Sequence, residues 1–342
     1  MVYNVENGWL CIQLRLIKKC HLDYDKNQIF DTVKIYDKVF YTHRSIDVWY
    51  QYFANDTIPQ NISENAVWTG PGNIFADEIC FQGLNQNGVI TVSDSNVLIN
   101  YCRFSNCSSN NKGTCVSLIN GESIHLKICC FNCSTADIGA YIYNVLSDEK
   151  GKRNFIFESS ITDTVSKSDA SFWIEYGKID INTMNNSYNY ATYNPFCVIR
   201  PGNANNTTFT FCEIFNNTSP FQAIFWSYRI YFEIISCEFI KNYQSDRNFC
   251  LFHIYGVGQI RNSIFISNIC NKLFPNNVIV DNSFLKSNTE KSDSSSNVKS
   301  TINALPFKFD KFLISCRYYN IDPTYFCMYP YQCIEFINTN IL

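Results

Sequence analysis

The sequence predicts an all-β chain, a right-handed parallel β-helix flanked by non-repeat N- and C-terminal segments. Three observations lead there. First, a pattern of small residue, any residue, large apolar residue, two further residues and a small polar residue recurs eight times between Cys102 and Ser287. Second, the residue five before each large anchor is Ile99, Leu126, Ile156, Ile179, Phe209, Ile234, Ile260 or Ile279, apolar in every repeat. Third, the segments leading into the anchors are rich in Ile, Phe, Tyr and Thr without a helical stripe, the mark of strands.

The anchors are Phe104, Phe131, Ile161, Met184, Ile214, Phe239, Phe265 and Phe284. Steps of twenty to thirty residues describe stacked units, none able to bury its apolar face alone. A second apolar run precedes each of the middle anchors after a polar turn, at 115–119, 141–145, 172–176, 196–199, 223–228 and 251–255. Two or three strands per unit leave no room for helices. A β-helix stacks such units as rungs about 4.8 Å apart, so columns of the repeat become ladders in space. Phe104, Phe131, Phe239 and Phe265 are expected to fill the interior, and Cys102, Cys129, Cys212 and Cys237 to form a column of small, buried free thiols. Asn217, Asn242 and Asn268 read as a turn ladder, because Asn tolerates the left-handed conformation and its amide bonds along the axis. The right hand follows from crossover sterics.

The remaining segments are read by contrast. Residues 1–74 lack the repeat and are expected to cap the first rung, since an open solenoid end exposes core and strand edge. The β-helix is placed at 75–290, a polar Ser- and Lys-rich loop at 291–303, and a C-terminal cap or a further rung of a truncated chain at 304–342.

Phe239-Ile-Lys-Asn242 and Phe265-Ile-Ser-Asn268 resemble one half of the repeat of chlamydial polymorphic membrane proteins and of similar trichomonad surface proteins. The Gly-rich other half survives as Gly113-Thr-Cys-Val116 and Gly139-Ala-Tyr-Ile142 and is lost from later rungs, so the resemblance is to the wider right-handed β-helix class. It covers roughly residues 75–290. In that class the fold, shared with pectate lyases, serves as an adhesive rod or as an enzyme scaffold, so the fold alone does not decide function. The resemblance implies a secreted or cell-surface protein with glycans or host and cell-surface proteins as partners.

Composition narrows the classes further. The net charge of −3 has no basic stripe behind it, which excludes a nucleic-acid partner on electrostatic grounds. No stretch approaches twenty uninterrupted apolar residues, so no transmembrane helix is expected. Nine sequons, among them Asn55, Asn61, Asn185, Asn205, Asn206, Asn216 and Asn217, suggest a glycoprotein. The other two, Asn106 and Asn132, lie inside ladder motifs and are expected to be poorly accessible. Against export, the apolar patch near the start is broken by Gln13 and Arg15, which leaves a cytoplasmic β-helix as the alternative.

Seventeen cysteines look like a disulfide framework, but the interior column argues for free thiols, and Cys316, Cys327 and Cys333 are the better disulfide candidates. Cys130 and Cys133 have CxxC spacing without a second pair at finger distance, so no metal site and no cofactor are expected. No catalytic set of three Asp residues or calcium-binding carboxylates is present, and the nearest approach is Glu213 and Glu238, expected to point outward one rung apart. Lys241 and Arg229 are close enough in sequence to neutralise them. Outward aromatics define the other class: Trp173, Tyr176, Trp226, Tyr228 and Tyr231 offer planar faces for sugars or protein. The expected function is therefore non-catalytic binding or adhesion, with a polysaccharide lyase or glycoside hydrolase as the first alternative and an intracellular scaffold as the second.

Overall fold

The computed structural model describes residues 48–53, 59–85, 87–146, 152–200, 207–228, 231–246, 248–290 and 298–302. The chain divides into two units, Met1–Asn55 and Asp56–Leu342. In the first, residues 48–52 form a helical turn in which the Trp49 and Phe53 rings meet at 4.3 Å.

The second unit is a parallel β-helix. Every pairing between its strands is parallel, and the strands form one seventeen-stranded sheet and two eight-stranded sheets. The major sheet takes two short segments from most rungs, for example Ser123–Leu126 and Cys129–Phe131. In two rungs they fuse into the ten-residue strands Arg153–Thr162 and Lys178–Ser187. A narrow sheet of two-residue strands follows, and then a second sheet that includes Val116–Ile119, Ile142–Val145, Phe172–Glu175, Cys197–Arg200, Phe225–Ser227 and Phe252–Ile254. These last are the apolar runs that precede the anchors in sequence.

Two left-handed residues per rung make the corners around the second segment of the major sheet. They are Tyr101 and Asn106, Lys127 and Asn132, Glu158 and Asp163, Thr183 and Tyr188, Phe211 and Asn216, Ser236 and Lys241, and so on. Their separation is five residues in every rung. Bulky side chains tolerate this strained region because each corner is repeated by hydrogen bonds from the next rung, such as Lys127 N–H to Phe157 O at 2.9 Å.

Inside, equivalent residues stack. Phe81 lies on Phe104 at 4.8 Å and Phe239 on Phe265 at 5.1 Å with nearly parallel rings. The apolar part of the interior is rich in aromatic rings, with Phe172, Phe196, Phe225, Phe232 and Phe252 fully buried. In-register stacking of like on like is what turns a sequence column into a core.

Several expectations need correction. The interior column runs Phe104, Cys130, Ile161, Asn186, Ile214, Phe239, Phe265, Leu285. Phe131 therefore points outward and pairs with Ser105 and Thr162, and Cys130 takes its place inside. The same one-residue shift moves Cys129 out of the small column, where Ile128 follows Cys102; a one-residue slip exchanges the two faces of a strand. Cys129 is disulfide-bonded, whereas Cys102, Cys212 and Cys237 are buried free thiols. Met184 occupies the small column, and Asn186, fully buried, stands where an apolar anchor was expected.

Asn217, Asn242 and Asn268 are not themselves left-handed; the residues before them, Asn216, Lys241 and Ser267, are. The three are instead an internal amide ladder. Asn217 N–H donates to Asn242 Oδ1 at 3.1 Å, and Asn242 N–H to Asn268 Oδ1 at 3.0 Å. Each Nδ2 also donates to a carbonyl of the preceding rung, Asn242 to Ile214 O at 2.8 Å and Asn268 to Phe239 O at 2.7 Å. Asn189 and Asn288 extend the ladder at its two ends.

The β-helix also begins earlier than expected: Gln60–Ile62 pairs with Ile74–Asp77, and Trp68–Thr69 with the second sheet. Val298 and Thr301, placed in a polar loop by sequence, bridge in parallel to Val280 and Ser283. The segment expected as a C-terminal cap, with Cys316, Cys327 and Cys333, lies outside the described residues.

Candidate functional site

Strand alternation puts every second residue of the second sheet on the outside. Register places Trp173, Val198, Trp226 and His253 in one outer column, and Glu175 and Arg200 in the next, where Tyr228 and Tyr255 follow at the strand ends. Val198 is the one short side chain among them, and Arg200 lies across that step. Its guanidinium carbon is 4.9 Å from the centre of the Trp173 ring and 5.2 Å from that of Trp226. Glu175 holds the arrangement in place, accepting from Trp173 Nε1 at 2.8 Å and from Arg200 Nη1 at 3.2 Å. Arg200 Nε is buried against the sheet without a hydrogen-bond partner.

The strip continues along the axis. Trp226 lies parallel to His253 at 6.3 Å and stacks with Tyr228 at 5.8 Å. Tyr255, the most exposed aromatic of the group at 60%, closes it against Tyr228 and His253. Burial holds the His253 imidazole below its ordinary value, so it presents a neutral ring. Chemically this is an aromatic surface with one edge-on ring, Tyr255, and one partly exposed cation, Arg200, suited to stacking and to attraction of an anionic group.

Of the five aromatics singled out from sequence, Trp173, Trp226 and Tyr228 come together here. Tyr176 sits just past the end of Phe172–Glu175 in a left-handed turn. Tyr231 leads into the major sheet, its hydroxyl bonded to Glu233 at 2.8 Å and Gln259 at 2.9 Å. Arg200, His253 and Tyr255 were missed. Neither Arg200 nor a lone His253 carries a signal of its own in the sequence. A row of exposed residues on the narrow sheet, Val165, Tyr190, Tyr243 and Ile269, was also missed.

Glu213 and Glu238 are paired by register on the outside of the major sheet. Burial first, and Glu213 second, push the Glu238 carboxyl up to about 7. Lys241 lies over the Phe215 ring, and Arg229 is outside the described residues.

Of the sequons, Asn61 and Asn216 are exposed. Asn185 and Asn217 are buried, one amide donating to Ser160 and the other locked in the internal ladder, so neither can carry a glycan in the folded chain. Asn106 and Asn132, expected to be hidden, are exposed at corners. Asn55, Asn205 and Asn206 are outside the described residues.

A second group was not expected. The sulfurs of Cys115, Cys130 and Cys133, all buried, lie within 4.8 Å of one another, with Cys115 and Cys130 at 3.6 Å. Cys115 comes from the second sheet and faces the CxxC pair across the interior. Burial opposes ionisation of Cys130, but thiol donation from Cys115 and Cys133 outweighs it and draws Cys130 below the ordinary thiol value.

Comparisons of the chain with protein-family models, curated proteins and solved structures find no match. Fold and surface define a parallel β-solenoid with an aromatic outer strip.

Proposed function

We propose that this chain is a non-catalytic β-helix of a secreted or cell-surface protein, and that the strip from Trp173 to Tyr255 binds carbohydrate bearing carboxylate groups. The carrying observation is Arg200 lying against both Trp173 and Trp226. Sugar rings stack on indole faces, and the partly exposed guanidinium beside them attracts a carboxylate. The resemblance of the repeat to chlamydial and trichomonad surface proteins supports the same class.

The test is titration of intrinsic tryptophan fluorescence with neutral and uronic-acid oligosaccharides. Acidic ligands should bind better, and Trp226→Ala should weaken them about thirtyfold, as loss of a central aromatic anchor of about 2 kcal/mol implies. Equal binding by Trp226→Ala, or silence across the panel, overturns the reading. Export is tested separately by the intact mass of the endogenous protein before and after deglycosylation, with Asn61, Asn106, Asn132 and Asn216 as the exposed acceptors among the described residues.

The raised Glu238 carboxyl favours one second reading, a glycoside hydrolase with Glu238 as general acid and Glu213 as its partner. Appearance of reducing ends, abolished by Glu238→Gln, would establish it; a product-free digest removes it.

A further inference from the structure

We propose that Cys115, Cys130 and Cys133 form a buried zinc site inside the early rungs, with Cys107, which stands outside this close trio, drawn in as fourth ligand. The four are free thiols, buried in the β-helix interior. Cys107 and Cys133 occupy the same column on consecutive rungs. A tetrahedral ion with zinc–sulfur bonds of about 2.3 Å holds its sulfurs about 3.8 Å apart. The observed spacing of 3.6 Å for one pair, and of no more than 4.8 Å for the trio, is that of a single ion. A polynuclear cluster needs ligands set wider apart. A disulfide between any two would leave the remaining thiols in the same pocket without a purpose.

The columns supply an independent reason. In the column of Cys107 and Cys133 the later rungs carry Thr164, Asn189, Asn217, Asn242 and Asn268, each bonded along the axis. Sulfur is a weak acceptor and cannot continue that ladder; the two cysteines reach only backbone carbonyls, Cys107 at 3.5 Å and Cys133 at 3.5 Å. Cys130, likewise, is a small side chain between Phe104 and Ile161 in a column of large ones. On the rung of Cys130 and Cys133 both columns carry cysteine, one in place of a large side chain and one in place of a ladder residue. Ligation accounts for both: it replaces the missing hydrogen bonds and uses the volume a larger side chain would fill. The thiols lose their protons to solvent as the ion arrives, and burial means that it enters while the rungs close.

The experiment is metal analysis of the full chain produced with zinc and purified without chelator. One zinc per chain is expected. Cys115→Ser and Cys130→Ser should lower it about tenfold or more, whereas Cys212→Ser, an interior thiol several rungs away, should leave it unchanged. Should the first two variants fail to fold, the wild-type chain produced with cobalt decides. Thiolate-to-cobalt charge-transfer bands and intense tetrahedral bands in the red support the site. Wild-type chain with a β-sheet spectrum, substoichiometric zinc and no such bands overturns it, as does zinc that survives Cys115→Ser.

Discussion

Asn242→Ala should cut the internal amide ladder at its middle. The side chain makes four bonds: its Oδ1 accepts from Asn217 N–H at 3.1 Å and from Asn217 Nδ2 at 3.2 Å, and its Nδ2 donates to Ile214 O at 2.8 Å and Asn268 Oδ1 at 3.0 Å. Asn217 is fully buried, so truncation orphans two donors where water does not reach. At about 1–3 kcal/mol for each unsatisfied group, the expected loss is about 4 kcal/mol. The comparison is Asn288→Ala, which removes the acceptor of the same two donors on buried Asn268 but at the half-exposed end of the ladder, where water can enter the vacated volume, so its cost should be about half that of Asn242→Ala or less. Urea unfolding followed by fluorescence and by circular dichroism reads both. With a slope of about 3 kcal/mol/M for a chain of this size, the midpoint of Asn242→Ala should fall by about 1.3 M. Solenoids can unfold rung by rung, so coincidence of the two probes is required before the midpoints are compared. A loss under about 1 kcal/mol with coincident transitions would refute the claim that the amides, rather than the apolar columns alone, hold these rungs in register.

Other expectations follow from single buried groups. Asn186, fully buried, has neither side-chain atom bonded, so Asn186→Leu should raise stability by about 1–3 kcal/mol in the same urea assay. His125 is fully buried, its Nδ1 meets Tyr141 Oη at 2.6 Å, and burial lowers its pKa from 6.5 to about 3. Its contribution is complete above pH 6.5 and is lost as pH falls toward 3, because the unfolded chain takes a proton the folded one refuses. The slope is about 1.4 kcal/mol per pH unit, or about 2 kcal/mol by pH 5, and His125→Gln should flatten it in thermal melts against pH. Glu238, held up at about 7, has the opposite sign: its proton favours the fold, and that contribution is lost as pH rises from 4.5 through 7. Glu213→Gln should lower the Glu238 midpoint in a carbon-13 carboxyl titration, and an unmoved midpoint would leave burial as the whole cause.

The sequence made the fold legible because stacking copies each rung onto the next. Rungs anchored on Phe104, Ile161, Ile214, Phe239 and Phe265 keep the expected register. The exceptions are of two kinds: Cys129-Cys130-Phe131 offers two anchors, and the Met184 rung puts polar Asn186 in the anchor column. In Cys129-Cys130-Phe131 the larger residue looked like the interior one, yet the corners at Lys127 and Asn132 dictate which position faces in. Lys127, Glu158 and Phe211 gave no warning of a left-handed backbone, since neighbouring rungs and not intrinsic preference impose it. The thiol group was hidden for a different reason. Cys115 precedes Cys130 by half a turn of the solenoid, and only the cross-section of the coil brings them face to face. The binding strip was half visible: tryptophans stand out in a sequence, whereas an arginine acquires its meaning from the rings on either side.

The constant five residues between the two corners of every rung have a consequence for how such a protein changes over generations. That arc works as a ruler, and an inserted or deleted residue within it would exchange inside for outside in its rung. The rest of the circumference carries no such constraint, and adjacent copies of the first corner stand from twenty residues apart, between Asn262 and Asn282, to thirty-one, between Lys127 and Glu158. One side of the coil therefore keeps time while the other is free to vary. The strand ends around Arg200 and Tyr228 belong to the variable side, so a lineage of these molecules can alter what it touches without rewriting what keeps it standing.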